Sequence, residues 1–168
     1  TIQYIIDDIP RGTAGALMDA LPELDEQFLV VYGDTFFDID LGSFWKFHQD
    51  QAGDASIFLH PNDHPYDSDL VEVGSDLQVQ KIHPYPHDTK WRQNLVNAAV
   101  YMFNKNALQG FDFVSDRPDI AKELFPLMLE SKKKLYGYIS TEYIKDMGTP
   151  KRLSKVERDI DSGKVELL

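Results

Sequence analysis

Short apolar runs and helical stripes alternate through the first third of the chain. Ile2-Gln3-Tyr4-Ile5-Ile6 predicts a strand, and Asp7-Asp8-Ile9-Pro10-Arg11-Gly12 a turn, because Pro and Gly interrupt regular structure. Thr13 is a residue type that caps a helix, and Ala14, Leu17, Met18 and Leu21 then recur on one face. Phe28-Leu29-Val30-Val31-Tyr32 is a continuous apolar run, expected of a strand covered on both faces in a parallel sheet. Gly33-Asp34 ends it. Asp40 caps a second predicted helix with Leu41, Phe44, Trp45 and His48 on one side.

The pattern then changes. Ala55 to Leu59 predicts a short strand, and Leu70 to Val73 with Leu77 to Ile82 a hairpin around Gly74-Ser75-Asp76. His83 to Arg92, rich in Pro, His and charge, reads as a loop. Val96 to Phe103 predicts a strand, with a turn or short helix from Asn104. Asp119 to Glu130 has a helical stripe of Ile120, Leu124, Leu127 and Met128, and Pro126 within it implies a kink or a late start. Leu135 to Ser140 predicts a strand, and Pro150 suits the first turn of a last helix over about Lys151 to Ile160. Strands alternating with helices around a hairpin-rich insertion predict an α/β mixed sheet with an antiparallel excursion. Residues 1–150 read as the domain and 151–168 as a terminal helix and exit segment. Residue 1 is Thr and the first predicted strand follows at once, so the chain reads as starting inside a domain.

Composition narrows the function classes. The 168 residues hold 17 Lys and Arg against 28 Asp and Glu, a formal net charge of −11. Such a surface repels a phosphate backbone, which argues against general nucleic-acid binding, although a metal ion can reverse the field locally for a small anionic substrate. Cysteine is absent, so there is no disulfide framework, thiolate metal site or cysteine nucleophile. No apolar run approaches a membrane span, and Thr1 to Ile6 lacks the basic region of a signal peptide, so the expected location is cytoplasmic.

Several segments carry candidate chemistry. In Val30-Val31-Tyr32-Gly33-Asp34-Thr35 an apolar strand delivers a carboxylate at its carboxyl end, the edge where α/β sheets bind ligands. Asp34 either holds a hard cation such as Mg²⁺ or simply makes the turn. Asp146-Met147-Gly148-Thr149-Pro150 offers a second carboxylate before a helix start, which is also ordinary helix-entry chemistry. Pro10-Arg11-Gly12-Thr13-Ala14-Gly15 either admits a flat or anionic group to the backbone or packs a helix closely; it is no Walker loop. His60 and His64, and His83 and His87, are each four apart, but the interleaved prolines oppose a helical zinc site, and solvated loop histidines or one touching substrate fit better.

Taken in order, Pro10 to Leu17, Phe28 to Asp34, Asn97-Ala98-Ala99-Val100-Tyr101, Phe125-Pro126 and Asp146 to Pro150 resemble the sugar nucleotidyltransferases. Those enzymes join a sugar 1-phosphate to a nucleoside monophosphate from an NTP and release pyrophosphate. The resemblance covers nearly the whole chain and is closest to the branch acting on mannose or heptose 1-phosphate with GTP, some of whose members are fused to a sugar phosphatase. It implies a Rossmann-like nucleotide-diphospho-sugar transferase fold lacking its first βα units, and activated-sugar supply for lipopolysaccharide or capsule. It makes Asp34 and Asp146 catalytic Mg²⁺ ligands. It puts Asp8, Gly12, Thr13 and Gly33 at the nucleotide, and Asn97, Glu72 and Tyr85 at the sugar. Asp7-Asp8 tilts the base toward guanine, whose N1 and N2 donate hydrogen bonds to a carboxylate. Three departures stand out: the Gly-rich loop with its Arg and Lys is absent, Pro84-Tyr85-Pro86 replaces Glu-Lys-Pro, and Ala99 replaces a glycine. These leave a second expectation, a catalytically silent regulatory or assembly domain. The chain by itself is expected to be inactive and to associate through exposed apolar surface, and a homo-oligomer is among its expected partners.

Overall fold

The computed structural model describes residues 1–61, 65–88 and 92–165. In chain order the elements are α1 (Gly12–Ala20), β1 (Gln27–Val31), β2 (Thr35–Asp38), α2 (Leu41–Gln51), β3 (Ala55–His60), β4 (Leu70–Val73), β5 (Val79–His83), β6 (Val96–Asn104), α3 (Phe125–Glu130), β7 (Leu135–Ile139), β8 (Tyr143–Asp146) and α4 (Pro150–Asp161). The main sheet has the order β5-β4-β6-β3-β7, with β1 also on β6; among the described residues only β3 and β7 run parallel. One edge of β6 is filled by β3. The opposite edge is shared: β1 pairs with Val100 to Asn104, and β4 meets the strand at Val96. Between these two partners, at Asn97 to Ala99, that edge of the sheet divides.

Alternate residues of β6 feed two cores, as the pleat requires. Tyr101 and Phe103 pack with Phe28, Phe125 and Leu135 beneath α1 and α3, whereas Val100 and Met102 pack with Phe44 of α2 and Phe58 of β3. Phe44 and Phe58 are fully buried, their rings edge-on at 5.5 Å. Each stabilises the fold by about 1.5–3 kcal/mol through burial alone. Asp40 caps α2 as expected, its Oδ1 accepting from the Ser43 N–H at 2.9 Å.

Pro126 gives the late start, one of the two effects expected of it. Ile120–Leu124 forms a π-helical turn, and α3 begins at Phe125 with Pro126 in its first turn, where the missing N–H costs least. Asp119 caps the π turn, its Oδ1 accepting from the Ala121 and Lys122 N–H groups.

Three expectations need correction. Ile2 to Ile6 is not a strand: no strand partner lies beside it among the described residues, and Ile2, Tyr4 and Ile6 are mostly exposed. Apolar alternation makes a strand only where a free edge accepts it. The Phe28 run is strand β1, but an antiparallel one whose single described partner is β6, with Val31 36% exposed. Thr13 does not cap α1, since the N-cap position is Arg11 and carries no side-chain cap. The Thr13 hydroxyl instead donates to Asp119 Oδ2 at 3.0 Å and accepts from the Ile120 N–H at 2.9 Å, fastening α1 to the π turn.

The strands β2 and β8 form a separate antiparallel pair that the hydrophobic pattern did not announce. Its register sets Thr35 opposite Asp146.

Candidate functional site

The β2–β8 pair does one thing of consequence for chemistry. It brings the segment after β1 beside the end of β8, and the Met147 N–H donates to the Asp34 carbonyl at 2.7 Å. Both carboxylates turn toward Gly148. A Cβ placed on that glycine would stand 3.2 Å from Asp146 Oδ1 and 3.3 Å from Asp34 Oδ2. The Gly148 N–H donates to Asp146 Oδ1 at 2.7 Å, and Arg152 Nη1 lies 3.2 Å from the same oxygen. Glycine here leaves a space that two hard oxygen donors share.

That space opens into a cleft of about 730 Å³. One wall is Tyr32, Asp34 and Thr35; the floor is Val96 to Ala99, where the edge of β6 divides; the far wall is Asp146, Thr149 and the exposed face of α4. Asn97 is held on the floor in one orientation. Its Nδ2 donates to the Tyr101 hydroxyl at 3.0 Å, and its Oδ1 accepts from the Ala99 N–H at 3.1 Å. Burial raises the Tyr32 phenol to about 12 and pushes Tyr101 well up. Both remain protonated and can donate. Burial also raises the Asp69 carboxyl, against the Tyr85 N–H that it accepts at 2.7 Å.

A smaller groove of about 420 Å³ lies behind Asp34, between α1 and the end of β1, lined by Thr13, Leu17, Val30, Gly33 and Ile120. Asp34 borders both spaces.

The structure therefore gathers Asp34, Asp146 and Asn97 in the cleft, and Thr13 and Gly33 in the adjoining groove. Gly12 lines neither. Its φ is +72° and an added Cβ would stand 2.4 Å from the Pro118 carbonyl oxygen, so its role here is close backbone packing. Asp8 lies in an exposed bend. Glu72 and Tyr85 are outside the cleft lining: Glu72 Oε1 lies 3.0 Å from His83 Nε2 and 3.9 Å from Arg92 Nε, and the Tyr85 ring is 48% exposed.

The described histidines do not assemble. His60 borders the cleft, His83 is buried on β5 rather than solvated, and His87 Nε2 is 3.1 Å from the Ser68 carbonyl; His64 lies outside the described residues. Among the described residues no group of three or more His, Cys, Asp or Glu is placed to hold a metal. Sequence reasoning missed Tyr32, Tyr101, Asp69 and the cations of α4 as cleft residues. Only the last left a signal, basic residues at helical spacing.

The mixed-sheet fold is shared with solved structures of other proteins. A putative glucose-1-phosphate thymidylyltransferase from Bacillus anthracis, in complex with a sucrose, superposes with a TM-score of 0.78 at 17% identity over 94% of this chain and 65% of that one. HddC from Yersinia pseudotuberculosis, complexed with GMP-PN, gives 0.71 at 23% identity over 90% of this chain and 63% of that one.

Residues 1–163 match the nucleotidyl transferase family, and the chain belongs to it. Similar curated relatives are the mannose-1-phosphate guanylyltransferase of Mycobacterium tuberculosis, 26% identical over 96% of this chain, and the glucose-1-phosphate adenylyltransferase of Bacillus subtilis, 27% identical over 89%. The chain spans 45% and 42% of their respective lengths. No described helix is long and apolar enough to cross a membrane.

Proposed function

We propose that the protein carrying this chain transfers a nucleoside monophosphate from an NTP, with GTP favoured, to a sugar 1-phosphate of the mannose or heptose type, releasing pyrophosphate. The product would be an activated sugar for cell-surface polysaccharide, made in the cytoplasm where NTPs are available. The observation that carries the reading is the convergence of Asp34 and Asp146 on one space beside Gly148, at the mouth of a cleft floored by Asn97. The relative named for mannose 1-phosphate and guanylyl transfer supports the choice of substrates.

The donor set fits Mg²⁺, which takes oxygen ligands and is usually held by one or two carboxylates together with substrate phosphates and water. Asp34 and Asp146 would hold it, and it would supply charge neutralisation at the phosphates. The residues of this chain do the remaining work by position. Asn97, its amide fixed by Tyr101 and Ala99, keeps one N–H and one lone pair for a sugar hydroxyl. Neutral Tyr32, whose ring meets that of Tyr101, offers a further donor. In-line attack of a sugar phosphate oxygen on the α-phosphorus needs alignment more than proton transfer.

The test is pyrophosphate release by the intact protein across the four NTPs and a set of sugar 1-phosphates, alongside Asp34→Asn. The expected result is turnover with GTP and mannose or heptose 1-phosphate, reduced at least about 100-fold by the substitution with the fold unchanged. Turnover by Asp34→Asn equal to the parent would remove the role given to this carboxylate. No release with any pair would favour a silent domain.

A further inference from the structure

We infer that the cationic face of α4 is the phosphate-binding wall of the cleft, and that its ligand is the phosphate of an anionic substrate or the pyrophosphate released. The inference rests on the nucleotidyl-transfer reading for the identity of the ligand, though not for the existence of the site. Lys151, Lys155 and Arg158 recur at i, i+4 and i+7, and all three line the cleft together with Arg152 and Lys145. At 100° per residue those three fall within a 60° arc, while Val156 and Leu153 lie on the other side, Val156 buried against the domain. The helix is thus seated through Val156, with Leu153 43% exposed beside it, and its cations border the cleft.

Like charges three and four residues apart on a helix face repel one another, and a bound anion relieves that repulsion. Five of the chain's 17 basic residues border the cleft together with five aspartates, Asp34, Asp67, Asp69, Asp119 and Asp146, but Lys151, Lys155 and Arg158 share one face of α4. Lys151 and Arg152 occupy the first turn of α4, which has no acidic residue. The positive end of the helix dipole disfavours cations there. Arg152 is answered by Asp146 at 3.2 Å and, more distantly, by Asp67 at 4.0 Å. Lys155 lies near Asp159 on its own helix, whose carboxylate already accepts from Tyr143 and lies 3.5 Å from Lys164. Mutual repulsion along Lys151, Lys155 and Arg158 falls when a phosphoryl group with two or more charges sits between them and the Asp34–Asp146 pair. Lysine and arginine heads on one helical face suit a phosphate, which accepts several charge-assisted hydrogen bonds at once.

The experiment uses the intact protein and a triple variant, Lys151→Gln, Lys155→Gln and Arg158→Gln. These side chains are on the surface, so the fold is expected to survive, and circular dichroism checks that it does. Calorimetry measures binding of pyrophosphate and, separately, of mannose 1-phosphate without nucleotide, at two salt concentrations. At least about tenfold weaker binding of one or both is expected, with a flatter salt dependence, and a Lys/Arg exchange at position 155 should retain the parent affinity. Loss confined to pyrophosphate places the leaving group on α4, and loss confined to the sugar phosphate places the acceptor there. Unchanged affinity for both overturns the inference. If the parent binds these phosphates but transfers nothing with any NTP, the functional reading fails while the site stands.

Discussion

Ala99 occupies the position where the resemblance expects glycine, and the backbone explains the expectation. Its φ is +58°, in the left-handed region, because the chain must turn its carbonyl to accept the Tyr32 N–H at 3.3 Å while its own N–H reaches Asn97 Oδ1. An alanine there costs about 1 kcal/mol in backbone strain. Replacing Ala99 with glycine is therefore expected to raise unfolding stability by no more than about 0.6 kcal/mol, read from urea midpoints, since the added freedom of the unfolded chain offsets much of the relieved strain. Valine at the same position should lower it. Single residues were legible in the sequence where chemistry and local geometry coincide. Asp34, in the turn between β1 and β2, and Asp146, at the end of β8, were both singled out. The second use of Thr13 was not legible, because Asp119 lies 106 positions away and a hydroxyl has no sequence pattern that names so distant a partner.

Elements whose partners are near in sequence were the easiest to foresee. The β4–β5 hairpin and α2 with its Asp40 cap lie within a few residues of their prediction. The strands β2 and β8 went unseen because their residues find each other only across 105 to 111 positions. The seam between α2 and β3 adds a property that no pattern contained. His48 and Ser56 are both buried, with His48 Nδ1 2.9 Å from Ser56 Oγ, and burial lowers the pKa of the imidazole from its ordinary 6.5. The folded state then binds fewer protons at this site than the unfolded one. Stability is fully present above pH 6.5 and falls as the pH drops from there toward the lower folded value. Denaturant titrations between pH 7 and 5 should show this decline, and the pair His48→Leu with Ser56→Ala should flatten it. A decline of equal slope in the double variant would assign it to other groups.

For the whole molecule, the run Phe28 to Tyr32 suggested a parallel sheet, whereas only one of the described pairings in the main sheet is parallel. An apolar run reports coverage of its faces and says nothing of a neighbour's direction. The sheet instead depends on β6, whose one edge is shared between β1 and β4. That sharing has a consequence for amide exchange with solvent. The N–H groups of Tyr101 to Phe103 lie where β6 has a neighbour on each side, so they should exchange only through global unfolding. Near Asn97 to Ala99 the two ladders part, and amides there and in β4 should exchange through smaller openings, at rates insensitive to mutations beneath α1. Deuterium uptake followed residue by residue would then divide one continuous strand into a slow half and a fast half, with the boundary at the cleft floor. The protein could thus loosen the floor of its cleft without loosening its core.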